Sequence, residues 1–205
     1  MASPPHPDPD IESLAAWRAG DEAAGERLVE RHFDSVFRFF RTKVDADAED
    51  LVQKAFMACL TRVDAIESFR AYLFGSARMV LLKHLRERYT RAKYAELAQL
   101  SIRDMTTPGH RLADRQEHAL LLEAMQSLSL DAQVCIELFY WEEMSTAEIA
   151  AVLEVAPGTV KARLSRARAK LRDELTARMD AAPQEAAFET LLVDASASVP
   201  GHKPC

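Results

Sequence analysis

The sequence is poor in glycine, cysteine and long hydrophobic runs. It has 6 glycines in 205 residues, which suits a helix-rich protein better than a collagenous or all-β one. Its 3 cysteines, Cys59, Cys135 and Cys205, are odd in number and widely spaced. We therefore expect neither a disulfide framework nor a metal site, and we interpret Cys59 and Cys135 as small core residues.

Membrane and secretion signals are also missing from the sequence. Apolar runs are only a few residues long, whereas a transmembrane helix needs about 20 apolar residues. The first ten residues lack a basic segment followed by an apolar one, as in a secretory signal. We therefore expect a cytoplasmic protein with no membrane insertion.

Positive charge is scarce overall but concentrated in two segments. The formal net charge is -6, yet residues 70–93 carry +6 and residues 156–178 carry +5, which leaves -17 for the remainder. An acidic protein with two cationic segments is expected to bind a polyanion at two places and a basic protein surface elsewhere.

Apolar residues recur at helical spacing through most of the chain, without a convincing alternating strand pattern. This pattern predicts an all-α protein of two small helical domains joined by a flexible linker. Helices are predicted over residues 11–17, 21–42, 45–60, 69–89, 113–127, 130–142, 146–153 and 157–178. The predicted division is a disordered N-terminus (1–10), a first domain (11–92), a linker with a turn at 106–109 (93–112), a second domain (113–179) and a flexible tail (180–205).

The strongest local signal is a helix-turn-helix pattern over residues 144–171. Ser145 and Glu148 have the spacing of a capping box, which starts a short helix. A second helix begins at Pro157, where the missing N–H of proline does no harm. Glu143 and Glu154 stand where the turns would more comfortably take glycine. Either those turns avoid positive φ, or the domain loses some stability.

The helix from Pro157 has the side-chain arrangement of a major-groove recognition helix. Small residues and Arg166 occupy the middle of its outward side. Bases lie along both margins, namely Lys161, Arg168 and Arg172 on one and Arg163 and Lys170 on the other. Such margins bind phosphates while the centre approaches base edges. The alternative is a solvated basic helix face.

The helix predicted over 69–89 also has a distinctive outward stripe, formed by Tyr72, Met79, Lys83 and Arg86. An exposed aromatic side chain beside bases suits single-stranded or unpairing DNA, where stacking and backbone neutralisation provide the binding. For Tyr72, burial against a neighbouring helix is the alternative.

These segments resemble the sigma-70 family of bacterial RNA polymerase initiation factors, in its short extracytoplasmic-function (ECF) group. Residues 47–56 resemble the region 2.2 helix, residues 69–86 resemble regions 2.3 and 2.4, and residues 148–168 resemble region 4.2. The blocks stand in family order over roughly residues 11–178. The resemblance implies a non-catalytic, cofactor-free subunit that binds core polymerase, recognises a promoter and helps to open it.

The resemblance also implies residue roles. Polymerase contacts would be Glu49, Asp50 and Gln53. Contacts to the minus ten element would be Phe69, Tyr72, Arg78, Met79, Lys83 and Arg86, with the loop 63–68 receiving an unstacked base. Contacts to the minus thirty-five element would be Thr159, Lys161, Ala162, Arg163, Ser165, Arg166, Arg168 and Lys170. Lys54 stands where the family often has an acid, which is a departure in the polymerase contact. Met79 and Lys83 replace the family's common Asn and Asp, so no promoter sequence is inferred.

The implied partners are promoter DNA and core RNA polymerase, through the clamp helices of its largest subunit and the flap of its second-largest. An anti-sigma factor is a further expected partner. The main alternative is a helix-turn-helix regulator that is not a polymerase subunit, but the basic segment 70–93 fits no receiver or ligand domain. An enzyme is disfavoured because the sequence lacks a P-loop, GxSxG and HExxH.

One part of the tail stands out from its surroundings. Phe188, Leu191 and Leu192 have helical spacing, with Glu185 and Glu189 among them. So short a helix should form only against a partner. We hypothesise that it folds back on the promoter-binding surfaces or the groove between the domains and lowers DNA affinity until polymerase binds; a solvated tail without a role is the alternative.

Overall fold

The computed structural model describes residues 8–44, 46–61, 66–97, 116–178 and 185–199. Every regular element within these ranges is helical, which confirms the all-α prediction. Within them, no helix is long and apolar enough to cross a bilayer. The chain divides into two compact units, one of residues 1–40 and 47–101 and the other of residues 41–46 and 102–205.

The first unit contains α1 (Pro9–Arg18), α2 (Glu22–Arg41), α3 (Ala48–Thr61) and α4 (Phe69–Leu97). Helix α3 packs along α4. The largest fully buried side chains of this unit are Leu14, Leu28, Phe40, Leu51, Phe69, Leu73, Phe74 and Leu81. Gly25 lets the Trp17 indole lie directly against α2, where a Cβ would clash with the ring.

The N-terminal boundary differs from the prediction of disorder over 1–10. Helix α1 begins at Pro9, and the Asp8 carboxylate accepts a 2.9 Å hydrogen bond from the backbone N–H of Asp10. Asp10 is itself buried and lies 2.7 Å from Nε2 of His32. Residues 8–10 are ordered because their polar groups are satisfied by the unit that they join, whereas residues 1–7 lie outside the described ranges.

The second unit contains α5 (Gln116–Gln126), α6 (Leu130–Tyr140), α7 (Thr146–Leu153), α8 (Pro157–Arg178) and α9 (Glu185–Asp194), followed by a 3-10 turn over Ala195–Ser198. Helix α8 packs against α5, α6 and α7. Its buried stripe consists of Val160, Leu164, Ala167, Leu171 and Leu175.

The helix-turn-helix of α7 and α8 has the predicted start signals. Ser145 and Glu148 form the capping box, with each side chain bound to the backbone N–H of the other residue. Glu143 and Glu154 both adopt left-handed backbone conformations, with φ of 49° and 56°. The domain therefore pays for these turns in stability rather than avoiding positive φ.

The tail differs from the predicted flexible segment, while its short helix forms against the rest of the unit, as hypothesised. Residues 185–199 are folded rather than mobile, and α9 packs against α5. Phe188 and Leu192 are fully buried, and the Trp141 indole N–H donates a 2.8 Å hydrogen bond to the Leu192 carbonyl. A helix too short to persist alone is stabilised here by burying its apolar side. The predicted linker differs less: α4 extends to Leu97, and the turn at 106–109 lies outside the described residues.

Candidate nucleic-acid and protein interfaces

The outward side of α8 is open to solvent along its centre. Lys161, Ala162, Ser165 and Arg166 are exposed, and the Arg166 Nε donates to the Ala162 carbonyl one turn earlier. Thr159 is half-buried at the start of the helix. Small residues beside a long basic side chain allow the helix axis to approach a DNA groove closely.

One margin of α8 is tied to the neighbouring helices of its unit. Arg163 lies 3.2 Å from the Asp131 carboxylate at the start of α6. The exposed Lys170 donates a hydrogen bond to the Ser127 carbonyl, just before that helix. These bases lie where the sequence placed them, but both have partners within the protein.

The other margin of α8 is paired with α9. The Arg168 guanidinium lies 2.7 Å from the Glu185 carboxylate and also pairs with Glu189. Arg172 pairs with Glu185 and lies over the Phe188 ring, 4.9 Å from its centroid. The hydrogen bond from Arg172 lowers the pKa of the Glu185 carboxyl below its usual value, so the carboxylate is ionised at neutral pH.

A cleft of about 450 Å³ follows this margin. Its wall from α8 includes Lys161, Ser165 and Arg168, while α6 contributes Tyr140 and α9 contributes Glu185. Burial, together with the adjacent Glu189, raises the pKa of Tyr140 to about 12, so this hydroxyl stays neutral. The cleft brings cationic, aromatic and acidic groups together beside the exposed face of α8.

The outward stripe of α4 is present in part. Lys83 and Arg86 are exposed. Met79, one turn before Lys83, is 50% exposed, and Arg78 is half-buried. Tyr72 is half-buried, and its hydroxyl accepts a 3.0 Å hydrogen bond from Arg18.

Tyr72 is thus partly packed against neighbouring helices, and its contact with DNA stays a prediction. Its hydroxyl also donates toward the Cys59 carbonyl at 3.4 Å. Phe69 requires a correction, because it is fully buried with its ring centroid 5.2 Å from that of His32. As the first residue of α4, it points into the core and is not available to DNA in this structure.

The predicted polymerase contacts share the exposed face of α3. Glu49, Asp50 and Gln53 are all exposed. Asp50 pairs with Lys54 at 2.5 Å, and that hydrogen bond raises the pKa of Lys54. Sequence reasoning missed Met57, which is 53% exposed and lies one turn beyond Gln53. Met57 lies seven residues, or two helical turns, after Asp50, and this spacing could have placed it on the same face of α3.

The cysteine prediction is confirmed for Cys59 and Cys135, which are both buried with free thiols. Burial raises the pKa of the Cys135 thiol to about 11. In the ranges that the structure describes, no three His, Cys, Asp or Glu side chains are grouped so that they could hold a metal ion.

Family sequence models match both units. The model described as Sigma-70 region 2 matches residues 28–91, and that described as Sigma-70, region 4 matches residues 118–171. The RNA polymerase sigma-E factor of Streptomyces coelicolor is 36% identical over 166 residues, covering 78% of this chain and 90% of that protein. The chain belongs to the sigma-70 family, in its ECF group.

Other relatives of this sigma factor agree with that assignment. The ECF RNA polymerase sigma factor SigM of Mycobacterium tuberculosis is 29% identical over 168 residues, covering 81% of this chain and 84% of its own. The structure of CnrH in complex with the cytosolic domain of CnrY is similar with a TM-score of 0.61 and 28% identity, covering 84% of this chain and all of that one. The sigma factor RpoE of Bartonella quintana, solved with the anti-sigma factor NepR, has a TM-score of 0.54 at 24% identity and shares the fold.

The two matches locate the conserved regions on the helices of this sigma factor. Region 2 covers most of α2 and all of α3, and it includes the described side chains of α4; region 4 covers α6 and α7, most of α5 and much of α8. The resemblance stated from the sequence is therefore confirmed. A regulator with a receiver or ligand domain is not supported, because region 2 occupies that part of the chain. Helix α9 lies beyond both matches.

Proposed function

We propose that this ECF sigma factor binds core RNA polymerase, directs it to specific promoters and assists DNA opening, while contributing no catalytic group. One observation carries the proposal: the helices matched to region 2 and region 4 each present an exposed basic face, on α4 and α8. Two such faces suit two separated promoter elements. Acting on these partners would place the protein at the nucleoid.

At the minus thirty-five element, α8 would enter the major groove. The exposed Arg166 has the length and planar donors to bind a guanine edge in two places, and Lys161 lies beside it for a phosphate. Ala162 and Ser165 keep the approach free of bulky groups. Arg163 and Lys170 would contribute as phosphate contacts only after leaving their partners on Asp131 and Ser127.

At the minus ten element, the exposed stripe of α4 would follow one DNA strand. Lys83 and Arg86 would neutralise phosphates, and the exposed thioether of Met79 would pack against a base or sugar. Arg78 remains a candidate for the same strand, whereas Phe69 is withdrawn because of its burial. Tyr72 supports the helix through Arg18.

Core polymerase would bind the exposed face of α3. Acidic and amide side chains at Glu49, Asp50 and Gln53 suit a basic protein surface. Met57 adds an apolar group one turn further along, as interface cores commonly have. The clamp helices of the largest subunit are the proposed partner here, and the flap of the second-largest subunit is the proposed partner of the second unit.

An anti-sigma factor is proposed as a regulatory partner. The support is that RpoE of Bartonella quintana was solved with the anti-sigma factor NepR, and CnrH with the cytosolic domain of CnrY. Affinity purification of the chain from its own cells, followed by mass spectrometry, tests this. Recovery of polymerase subunits alone would contradict the proposal.

Run-off transcription with purified core polymerase tests the main function. The chain, added alone to core polymerase, should produce discrete transcripts from promoter templates. A regulator that is not a polymerase subunit would need a second sigma factor in the same reaction. Transcripts that appear only with that second factor would contradict our proposal.

A further inference from the structure

We propose that Glu185 and Glu189 of α9 set the DNA affinity of α8 by holding Arg168 and Arg172 away from DNA phosphates. The inference rests on the proposed DNA-binding role of α8. It concerns a segment outside both family matches, the second of which ends at residue 171.

Helix α9 is held in place by its apolar side. Phe188 and Leu192 are fully buried, Leu191 is nearly so, and Trp141 donates its indole N–H to the Leu192 carbonyl. The following turn adds a 2.7 Å contact between His118 Nδ1 and the Ser198 hydroxyl. The acidic side of α9 is therefore fixed against α8 by packing that does not depend on charge.

The carboxylates of Glu185 and Glu189 form ion pairs with the two arginines. Arg168 contacts both Glu185 and Glu189, and Arg172 contacts Glu185. A guanidinium that already has carboxylate partners must lose them to bind a phosphate, so each DNA contact from this margin carries an offsetting cost. This margin consists of Lys161, Arg168 and Arg172, which we predicted to bind phosphates. Lys161 is the one basic side chain of the three that is exposed.

The cleft beside α8 places the acidic group where DNA would approach. Glu185 lines the same cleft as Lys161 and Ser165, two residues of the proposed DNA-binding face. A phosphate that enters this cleft meets the Glu185 carboxylate as well as the basic side chains of α8. The resulting repulsion reduces binding to any sequence, because it acts through the backbone and not through base edges.

The test neutralises the carboxylates without changing their shape. The full-length Glu185→Gln/Glu189→Gln variant should bind a short fluorescent DNA duplex roughly 3- to 10-fold more tightly than wild type at low salt. The slope of log affinity against log salt should steepen by about 1 for each arginine that gains a phosphate. Adding Arg168→Ala to this variant should remove most of the gain, which identifies the freed arginine as the cause.

Glu174→Gln is the matched control. Glu174 also pairs with an arginine, Arg178, but neither residue lines the cleft, so its neutralisation should leave affinity nearly unchanged. Thermal unfolding of every variant checks that α9 stays docked. Equal or weaker binding by the double variant, or equal gains from Glu174→Gln, would overturn the inference. Run-off transcription by wild type judges the proposed function separately.

Discussion

The Asp8 carboxylate accepts a 3.0 Å hydrogen bond from the backbone N–H of Phe69. Its other oxygen accepts from the backbone N–H of Asp10. One side chain therefore accepts a backbone N–H from the first turn of α1 and from the first turn of α4, although Asp8 and Phe69 are 61 residues apart in sequence. This relationship fixes the start of the helix that bears the proposed minus ten contacts.

Removing this double cap should destabilise the first unit. We expect Asp8→Ala to lower the free energy of unfolding by about 1 to 2 kcal/mol, because two helical N–H groups lose their acceptor. Asp8→Asn keeps one acceptor oxygen and should lose less. Urea unfolding followed by circular dichroism measures both. An unchanged midpoint for Asp8→Ala would mean that water replaces the cap.

Replacing Glu154, the left-handed residue between α7 and α8, with glycine should stabilise the helix-turn-helix. Glu154 ends α7 with φ of 56°, a conformation that costs most residues roughly 1 to 2 kcal/mol. We expect Glu154→Gly to raise the unfolding free energy by about 0.5 to 1 kcal/mol, after the larger unfolded-state entropy of glycine is subtracted.

Ala151→Gly is the control for this prediction. Ala151 is exposed within α7, where glycine should cost about 1 kcal/mol. Thermal unfolding should therefore shift upward for one glycine and downward for the other. Shifts in the same direction would contradict the account of strain at Glu154.

The face of α3 should respond to substitution in polymerase binding and not in stability. We expect Gln53→Ala/Met57→Ala to weaken binding to core polymerase, because it removes an amide and an exposed apolar group from the proposed interface. Stability should change by less than about 0.5 kcal/mol, as is usual for exposed positions. Fluorescence anisotropy with labelled sigma factor measures binding, and Glu22→Ala on α2 is an exposed control. Wild-type affinity for the double variant would exclude this face.

Substitutions at the centre and at the margin of the outward side of α8 should have different effects on DNA binding. Arg166→Ala should cost roughly 1 to 3 kcal/mol at the minus thirty-five element and relax base preference there. Lys161→Ala should weaken binding about evenly across sequences and reduce the salt dependence. Mobility shifts of the holoenzyme on a set of promoter variants measure both. If the two substitutions affected all sequences alike, the assignment of centre and margin would be wrong.

Helical periodicity was sufficient for most of the fold. It located α7 and α8 to the residue, because the Ser145 cap and Pro157 mark their starts. It also identified the apolar side of α9, but the tail was predicted to be flexible because so short a helix has no stability of its own and depends on surfaces such as Trp141 that only the folded unit presents.

Surface assignments were harder to derive from sequence. Phe69 is the first residue of α4, and one helical turn of apolar spacing does not show which side of a helix faces the core. The family resemblance implied a DNA contact for Phe69, whereas its side chain is buried. Met57 has an apolar side chain that composition alone assigns to the core. The pairing of Arg168 with α9 joins residues about 20 apart in sequence, which no local rule reveals.

The burial of Phe188 and Leu192 also determines where the chain can be cut. A fragment that ends with the region 4 match would uncover the apolar side of α5 and leave it in water. Such a fragment would tend to aggregate, and its DNA affinity would combine the loss of two carboxylates with damage to the core. An independent DNA-binding fragment of this protein should therefore extend at least to residue 199.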